Sequence, residues 1–241
     1  MKLMSKSIAV VGLFVSMTSF ASAADLPSTT TAPRLAMPEF AWTGIYAGVH
    51  VGYAVGDTNW RWNLAAGNIG IRPAGVAGGL HIGYNYQLSS NFVIGVEGSF
   101  SVAAAKKTTT FLTPVFAGNV IDAHTTDIKW FGDISLRAGL SIDRFLLFVK
   151  GGLALGQFRQ SYGFRAPFFG NFMSSATYTQ TGFLLGGGLE YAFTNNLLGR
   201  IEYNYMDFGT KRLGPAAAFA IGNVRFRNTV KVVKAGVSYK F

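Results

Sequence analysis

From Trp42 onward, side-chain character alternates with a period of two, the spacing of β-strands whose two faces meet different surroundings. In residues 43–55, Ile45, Val49, Val51, Tyr53 and Val55 hold the odd positions, and Gly44, Gly48, His50 and Gly52 the even ones. The pattern recurs in 75–87, 92–102, 127–141, 144–158, 177–193, 197–208 and 228–241. In 127–141, for example, Ile128, Trp130, Ile134, Leu136 and Leu140 oppose Lys129, Asp133, Ser135, Arg137 and Gly139. The run 144–158 is the least clean, because Leu146 and Phe148 share the face of Lys150 and Gly152. Eight antiparallel segments are predicted.

The connections between them fall into two sets. Residues 88–91, 142–143 and 194–196 make tight links, whereas 56–74, 103–126, 159–176 and 209–227 each run to roughly twenty residues, far beyond an ordinary hairpin loop. Short periplasmic turns alternating with long extracellular loops are the arrangement of outer-membrane barrels, which places both ends of the barrel in the periplasm.

A soluble lipocalin-type barrel alternates too, but turns its apolar face inward. Glycine decides between the two. Gly48, Gly52, Gly79, Gly83, Gly95, Gly152, Gly186, Gly188 and Gly236 share a face with Glu97, Arg137, Lys150, Glu190, Arg200, Glu202 and Lys234. Glycine weakens a strand facing water, but inside a narrow lumen it lets neighbouring backbones close up. That polar face is therefore the lumen, and the fold class is all-β: an eight-stranded antiparallel up-and-down transmembrane β-barrel of outer-membrane type.

Composition agrees. The chain is 49% hydrophobic and 15% aromatic with no cysteine, which excludes disorder, a disulfide scaffold and thiolate metal sites. After residue 23 no apolar run is long enough for a membrane helix. The N-terminus reads as an export signal: Lys2 and Lys6 precede a short apolar core at 7–20, and Ala21-Ser22-Ala23 offers a cleavage site. The predicted organisation is a signal peptide at 1–23, a Pro/Thr-rich periplasmic leader at 24–42 that carries Pro27, Pro33 and Pro38, and the barrel at 43–241.

Trp42, Tyr46, Tyr84, Tyr86, Trp130, Tyr191, Phe193, Tyr203, Tyr205, Tyr239 and Phe241 lie near strand ends and are expected to form aromatic girdles. The alternating terminal run through Val237, Tyr239 and Phe241 resembles the signal read by the outer-membrane barrel assembly machinery. The motifs Trp42-Thr43-Gly44-Ile45-Tyr46-Ala47-Gly48, Gly79-Leu80-His81-Ile82-Gly83-Tyr84-Asn85, Gly187-Gly188-Leu189-Glu190-Tyr191 and Glu202-Tyr203-x-Tyr205-x-Asp207-Phe208-Gly209 follow in order. Together with the export signal and leader, they resemble the small outer-membrane β-barrel family of alphaproteobacteria, which includes 25 and 31 kDa surface antigens and hemin-binding proteins. Members are often labelled porins. The resemblance implies fold and outer-membrane location more firmly than activity.

For function, eight strands enclose a space that side chains alone can fill. Glu97, Lys129, Asp133, Arg137, Lys150, Glu190, Arg200, Glu202 and Lys234 carry both signs and are expected to pair as an ionic network across the lumen rather than line an open pore. Gly-x-Ser-x-Gly, phosphate-binding and His-Glu-x-x-His motifs are all absent. Of the three histidines, His50 and His81 fall on the lumen face, while His124, near Ser174 and Ser175 only by loop placement, has no acidic partner for a triad. The reading is therefore not an enzyme.

Of the formal net charge of +10, two come from Lys2 and Lys6, and the remaining excess collects in the long connections, above all as Lys211, Arg212, Arg225 and Arg227 in the last one. An exported barrel does not meet the genome, so this basicity points to lipid and lipopolysaccharide, not nucleic acid. No oligomeric state follows from the pattern. Aromatic residues of the same connections, among them Phe111, Phe116, Phe164, Phe168, Phe169, Phe172 and Phe219, suggest an alternative: a surface receptor for hemin or a host ligand. Its hemin site would use His124 or Tyr162 at iron and Arg159 and Arg165 at the propionates. The first reading is a structural surface protein that supports the envelope through lipopolysaccharide and needs no cofactor.

Overall fold

The computed structural model describes residues 40–241, except 63–66, 90, 116–117, 167–169 and 214–223. The predicted signal peptide, and the leader up to residue 39, lie outside the described residues. The strands are β1 (Gly44–Trp62), β2 (Gly67–Ile71), β3 (Ala74–Gln87), β4 (Phe92–Val115), β5 (Gly118–Ile142), β6 (Phe145–Ala166), β7 (Gly170–Ala192), β8 (Leu197–Leu213) and β9 (Val224–Lys240). β1, β3 and then β4 to β9 pair in chain order, and β1 pairs β9 to close a ring of eight. Every pairing is antiparallel, and the seam runs from Tyr46↔Lys240 to Trp62↔Val224. β2 pairs only with the upper part of β1, from Thr58↔Ile71 to Trp62↔Gly67. It lies two residues before β3, and Pro73, which cannot donate to a ladder, falls at the break.

The ring is inside out relative to a soluble protein. Ile134, Leu136 and Leu153 are 69–70% exposed on its outer surface, while Lys150 and Lys234 are 2% and 1% exposed within it. Only a hydrocarbon surround makes that arrangement favourable, which settles the lipocalin alternative against itself. The inward glycines show why the wall closes: a Cβ at Gly79 would run into the Phe100 carbonyl oxygen, and one at Gly152 into that of Ile134.

Tight turns join β3 to β4, β5 to β6 and β7 to β8 at one end. In the shortest of these, Asp143 takes a φ of 51°, a left-handed conformation that aspartate tolerates better than most residues. At the other end, the connections expected to be loops are largely strand. β4 and β5 pair from Phe92↔Leu140 to Val115↔Gly118 with one irregularity between Val102 and Ala105, and β6 and β7 pair without a break from Phe145↔Tyr191 to Ala166↔Gly170. A membrane crossing needs only about 9–11 tilted residues; β4 to β7 have 22 to 25 each. The ladders thus continue well beyond the bilayer. Past the belt both faces carry polar residues, as in Lys106-Lys107-Thr108-Thr109-Thr110, so the alternation in hydropathy fades although the strand persists.

Two register shifts alter which residues face inward. Lys129 is an extra residue in β5, between the pairs Ile128↔Phe158 and Trp130↔Gln157 with β6. Ile128 consequently turns into the core, while Lys129 faces outward. The second shift, between Asp207 and Thr210 of β8, reverses parity above Phe208, which keeps the inward even position of Glu202, Asn204 and Met206, so that Arg212 faces outward.

Candidate functional site

The lumen is filled in successive layers. At the periplasmic end, Trp42, Val93, Leu146, Phe148, Ala192 and Leu198 form an apolar stopper with Phe40 against it. Phe40 meets Trp42 edge to face at 5.0 Å, and the Lys240 ammonium sits 4.5 Å above the Phe40 ring while bonding the Ala41 carbonyl. The Trp42 amide donates to Gln87 Oε1 at 2.8 Å. Trp42 and Tyr46 therefore do not belong to the girdle. Trp42 precedes β1 and folds into the mouth; Tyr46 holds an even position of β1, and strand parity sends it inward whatever its affinity for an interface.

Above the stopper lies the ionic layer. Glu97 accepts hydrogen bonds from Tyr46 Oη at 2.8 Å, Lys150 Nζ at 2.9 Å and Arg200 Nη1 at 2.7 Å, with Arg137 Nη1 at 3.3 Å. Arg137 also donates to Glu190 at 3.0 Å, and Arg200 Nη2 to Glu202 at 2.6 Å. Lys150 reaches Glu202 at 3.4 Å and Asp133 at 3.8 Å, while Lys234 lies 3.7 Å from Glu202. Asp133 accepts from the Ser99 and Ser135 hydroxyls. The Arg137 guanidinium stacks 4.0 Å from the Phe148 ring centre, which ties this layer to the one below. Four carboxylates, Glu97, Asp133, Glu190 and Glu202, face four cations, Arg137, Lys150, Arg200 and Lys234, all with buried side chains. Charge is balanced within the layer. Lys129, expected in this network, is outside it: the β5 bulge turns it outward, where it pairs with Asp127 at 2.6 Å.

The next group is a chain of four. His50 and His81 place their Nδ1 atoms 3.3 Å apart, His50 Nε2 lies 2.8 Å from Ser101 Oγ, and His81 Nε2 lies 2.7 Å from Ser238 Oγ. A hydrogen bond between the two Nδ1 atoms requires one ring to donate and the other to accept, so the neutral pair holds complementary tautomers. An apolar core then includes Ile128, Phe131, Phe158, Leu184, Met206 and Phe208. Thr58, Thr126, Gln160, Tyr178, Gln180 and Asn228 add a neutral hydrogen-bonded network centred on the Tyr178 hydroxyl and Asn228. Among the described residues, polar and apolar side chains thus fill the ring in successive groups.

The four residues expected around hemin are split. His124 and Tyr162 are direct cross-strand partners in β5 and β6, with ring centres 5.1 Å apart, and Tyr162 is buried. Arg159 and Arg165 lie an odd number of positions from Tyr162 on the same strand and are exposed on the opposite face. The expected site is thus not assembled as one pocket. Phe111, Phe116, Phe164, Phe168, Phe169, Phe172 and Phe219, placed around it, lie outside the residues whose side chains are described. Ser174 pairs with Tyr162, and Ser175 with Ser161.

At the seam, Tyr239 and Phe241 both point outward, with rings edge to face at 5.1 Å, and the Phe241 amide donates to Ile45 O at 2.9 Å. Beyond the belt, Asp207 accepts from Arg227 at 2.9 Å and from the Gly209 amide at 2.8 Å. Burial opposes its ionisation, but these bonds prevail and hold the carboxyl below its ordinary range. The sequence reading missed Tyr46 as an ionic-layer member, the His50–His81 contact and the Tyr178–Asn228 network. Parity alone would have placed Tyr46; the others depend on registers between strands far apart in sequence.

A closed antiparallel ring, apolar outside and ionic within, defines an integral β-barrel of the outer membrane. The chain belongs to the outer membrane protein beta-barrel domain family, which it matches over residues 13–241. The 31 kDa outer-membrane immunogenic protein of Brucella melitensis is 29% identical, over 98% of this chain and 100% of its own length. The 25 kDa outer-membrane immunogenic protein of Brucella abortus is 27% identical, over 87% of this chain and 84% of its own. Among solved structures, the outer membrane protease OmpT from Escherichia coli superposes with a TM-score of 0.52 at 12% identity, over 86% of this chain and 99% of that one, a likeness of fold alone. The protein resides in the outer membrane.

Proposed function

We propose that this barrel is a structural surface protein that supports the envelope through contacts with lipid and lipopolysaccharide, and that it acts neither as a diffusion pore nor as an enzyme. The charge-balanced lumen carries this reading. Interior groups that porins and barrel enzymes expose to solvent are here consumed by one another, so the working surface is the outer one. That surface offers an apolar belt to lipid tails and, above it, basic strand extensions to the anionic sugars of the outer leaflet. Deleting the gene should raise the sensitivity of the bacterium to detergents and large hydrophobic antibiotics, and expression of the wild-type chain should restore resistance. Unaltered permeability in the deletion strain would overturn the proposal.

A further inference from the structure

The outward positions of β8, β9 and β1 form a ladder that becomes more basic with height. Its lowest rung is Tyr203, Val233 and Tyr53, where the rings mark the upper edge of the apolar belt. Lys231 stands one outward position higher on β9, and Arg227 two positions above that. The top rung is Arg212, Arg225 and Arg61, with Arg225 the direct partner of both others. All three arginines are exposed.

Like charges in directly opposed positions destabilise a sheet unless something neutralises them. The strands themselves supply nothing. The carboxylates on β1, β8 and β9 are Asp57, Asp207 and Glu202. Glu202 is consumed in the lumen, Asp207 is held by Arg227 at 2.9 Å, and Asp57 lies 3.6 Å from Arg72. Paired strands lie about 5 Å apart, so the three guanidinium groups spring from backbone spanning only about 10 Å. At about 3.3 Å per residue and a tilt near 40°, Lys231 sits roughly 5 Å and Arg225 roughly 20 Å above the tyrosine rung. Those heights match the phosphorylated and carboxylated sugars next to the acyl chains of lipopolysaccharide. Guanidinium, which bonds phosphate and carboxylate in two-pronged fashion, fills every position of the top rung.

We propose that the outer face of β8, β9 and β1 is a binding site for the inner-core sugars of lipopolysaccharide, with Arg61, Arg212 and Arg225 gripping one anionic group and Lys231 meeting the phosphate at the acyl boundary. The site rests on the envelope reading and narrows it to one wall of the barrel.

The test uses the full mature chain refolded in detergent, with lipopolysaccharide truncated to lipid A plus the first acidic core sugars as probe. The triple variant Arg61→Gln/Arg212→Gln/Arg225→Gln is compared with Lys106→Gln/Lys107→Gln/Arg159→Gln, which removes the same charge from the opposite wall. A heat-shifted gel band verifies that each is folded. The site predicts saturable, salt-sensitive binding that weakens at least tenfold in the first variant and less than twofold in the second. Equal weakening in both would overturn the site but leave a diffuse basic rim, and the envelope reading, standing. No saturable binding by wild type would overturn both. Binding of a sulfated oligosaccharide, sensitive to the first variant, without lipopolysaccharide binding would reassign the face to sulfated glycans and overturn the proposal.

Discussion

Replacing Glu97 by Gln tests the energetic core of the barrel. Glu97 receives Tyr46, Lys150, Arg137 and Arg200 in a layer of four carboxylates and four cations. Glutamine keeps the volume but removes one negative charge, leaving a buried excess of +1 and pointing N–H groups at cations. Breaking a buried pair by removing one partner costs about 3–5 kcal/mol, because the stranded charge stays desolvated. A second substitution, Lys150→Met, restores neutrality and fills the same space with an apolar chain. The double variant should therefore recover at least half of the loss, a coupling that independent sites would not show. Urea unfolding of the refolded barrel in lipid vesicles, followed by tryptophan fluorescence, supplies the four stabilities. If Glu97→Gln costs less than about 0.5 kcal/mol, the level of an ordinary surface change, the layer is solvated and the argument for a sealed lumen fails.

The register shift in β5 makes a contrasting prediction: Lys129→Ala should alter stability by no more than about 0.5 kcal/mol in the same assay, because Lys129 faces outward beside Asp127. Deleting Phe241 should lower the folded, heat-modifiable population in outer membranes, since the outward Tyr239–Phe241 pair ends the closing strand; equal surface levels would refute that role. Asp207, held ionised by Arg227 and Gly209, contributes above the ordinary carboxylate range and loses that contribution as acid protonates it. Asp207→Asn should thus remove part of the acid-side fall in stability; an unchanged pH profile would contradict the assignment.

The transmembrane half of this architecture was legible because lipid imposes one rule on one face. Ile134, Leu136 and Leu153 had to alternate with Asp133, Arg137 and Gly152, and strand number, turns and most of the ionic layer followed. Beyond the belt that rule lapses, so the paired extensions of β4 to β7 read as loops. Lys129 was misplaced because a one-residue bulge reverses parity without changing composition. Arg159 and Tyr162 were joined into one site by closeness in sequence, although an odd offset on a strand sends them to opposite faces. The arginine rung was visible as charge, but its three members are separated by up to 164 positions and meet only through the β8–β9 and β9–β1 registers.

The most direct test of the account is the conductance of the purified, full-length mature monomer in a planar bilayer. Stopper, ionic layer, histidine chain and apolar core together predict a flat current, with no stable unitary steps across the voltage range that the bilayer withstands. Long-lived, uniform open-channel steps from a verified folded monomer would contradict the sealed lumen and return the protein to the pores.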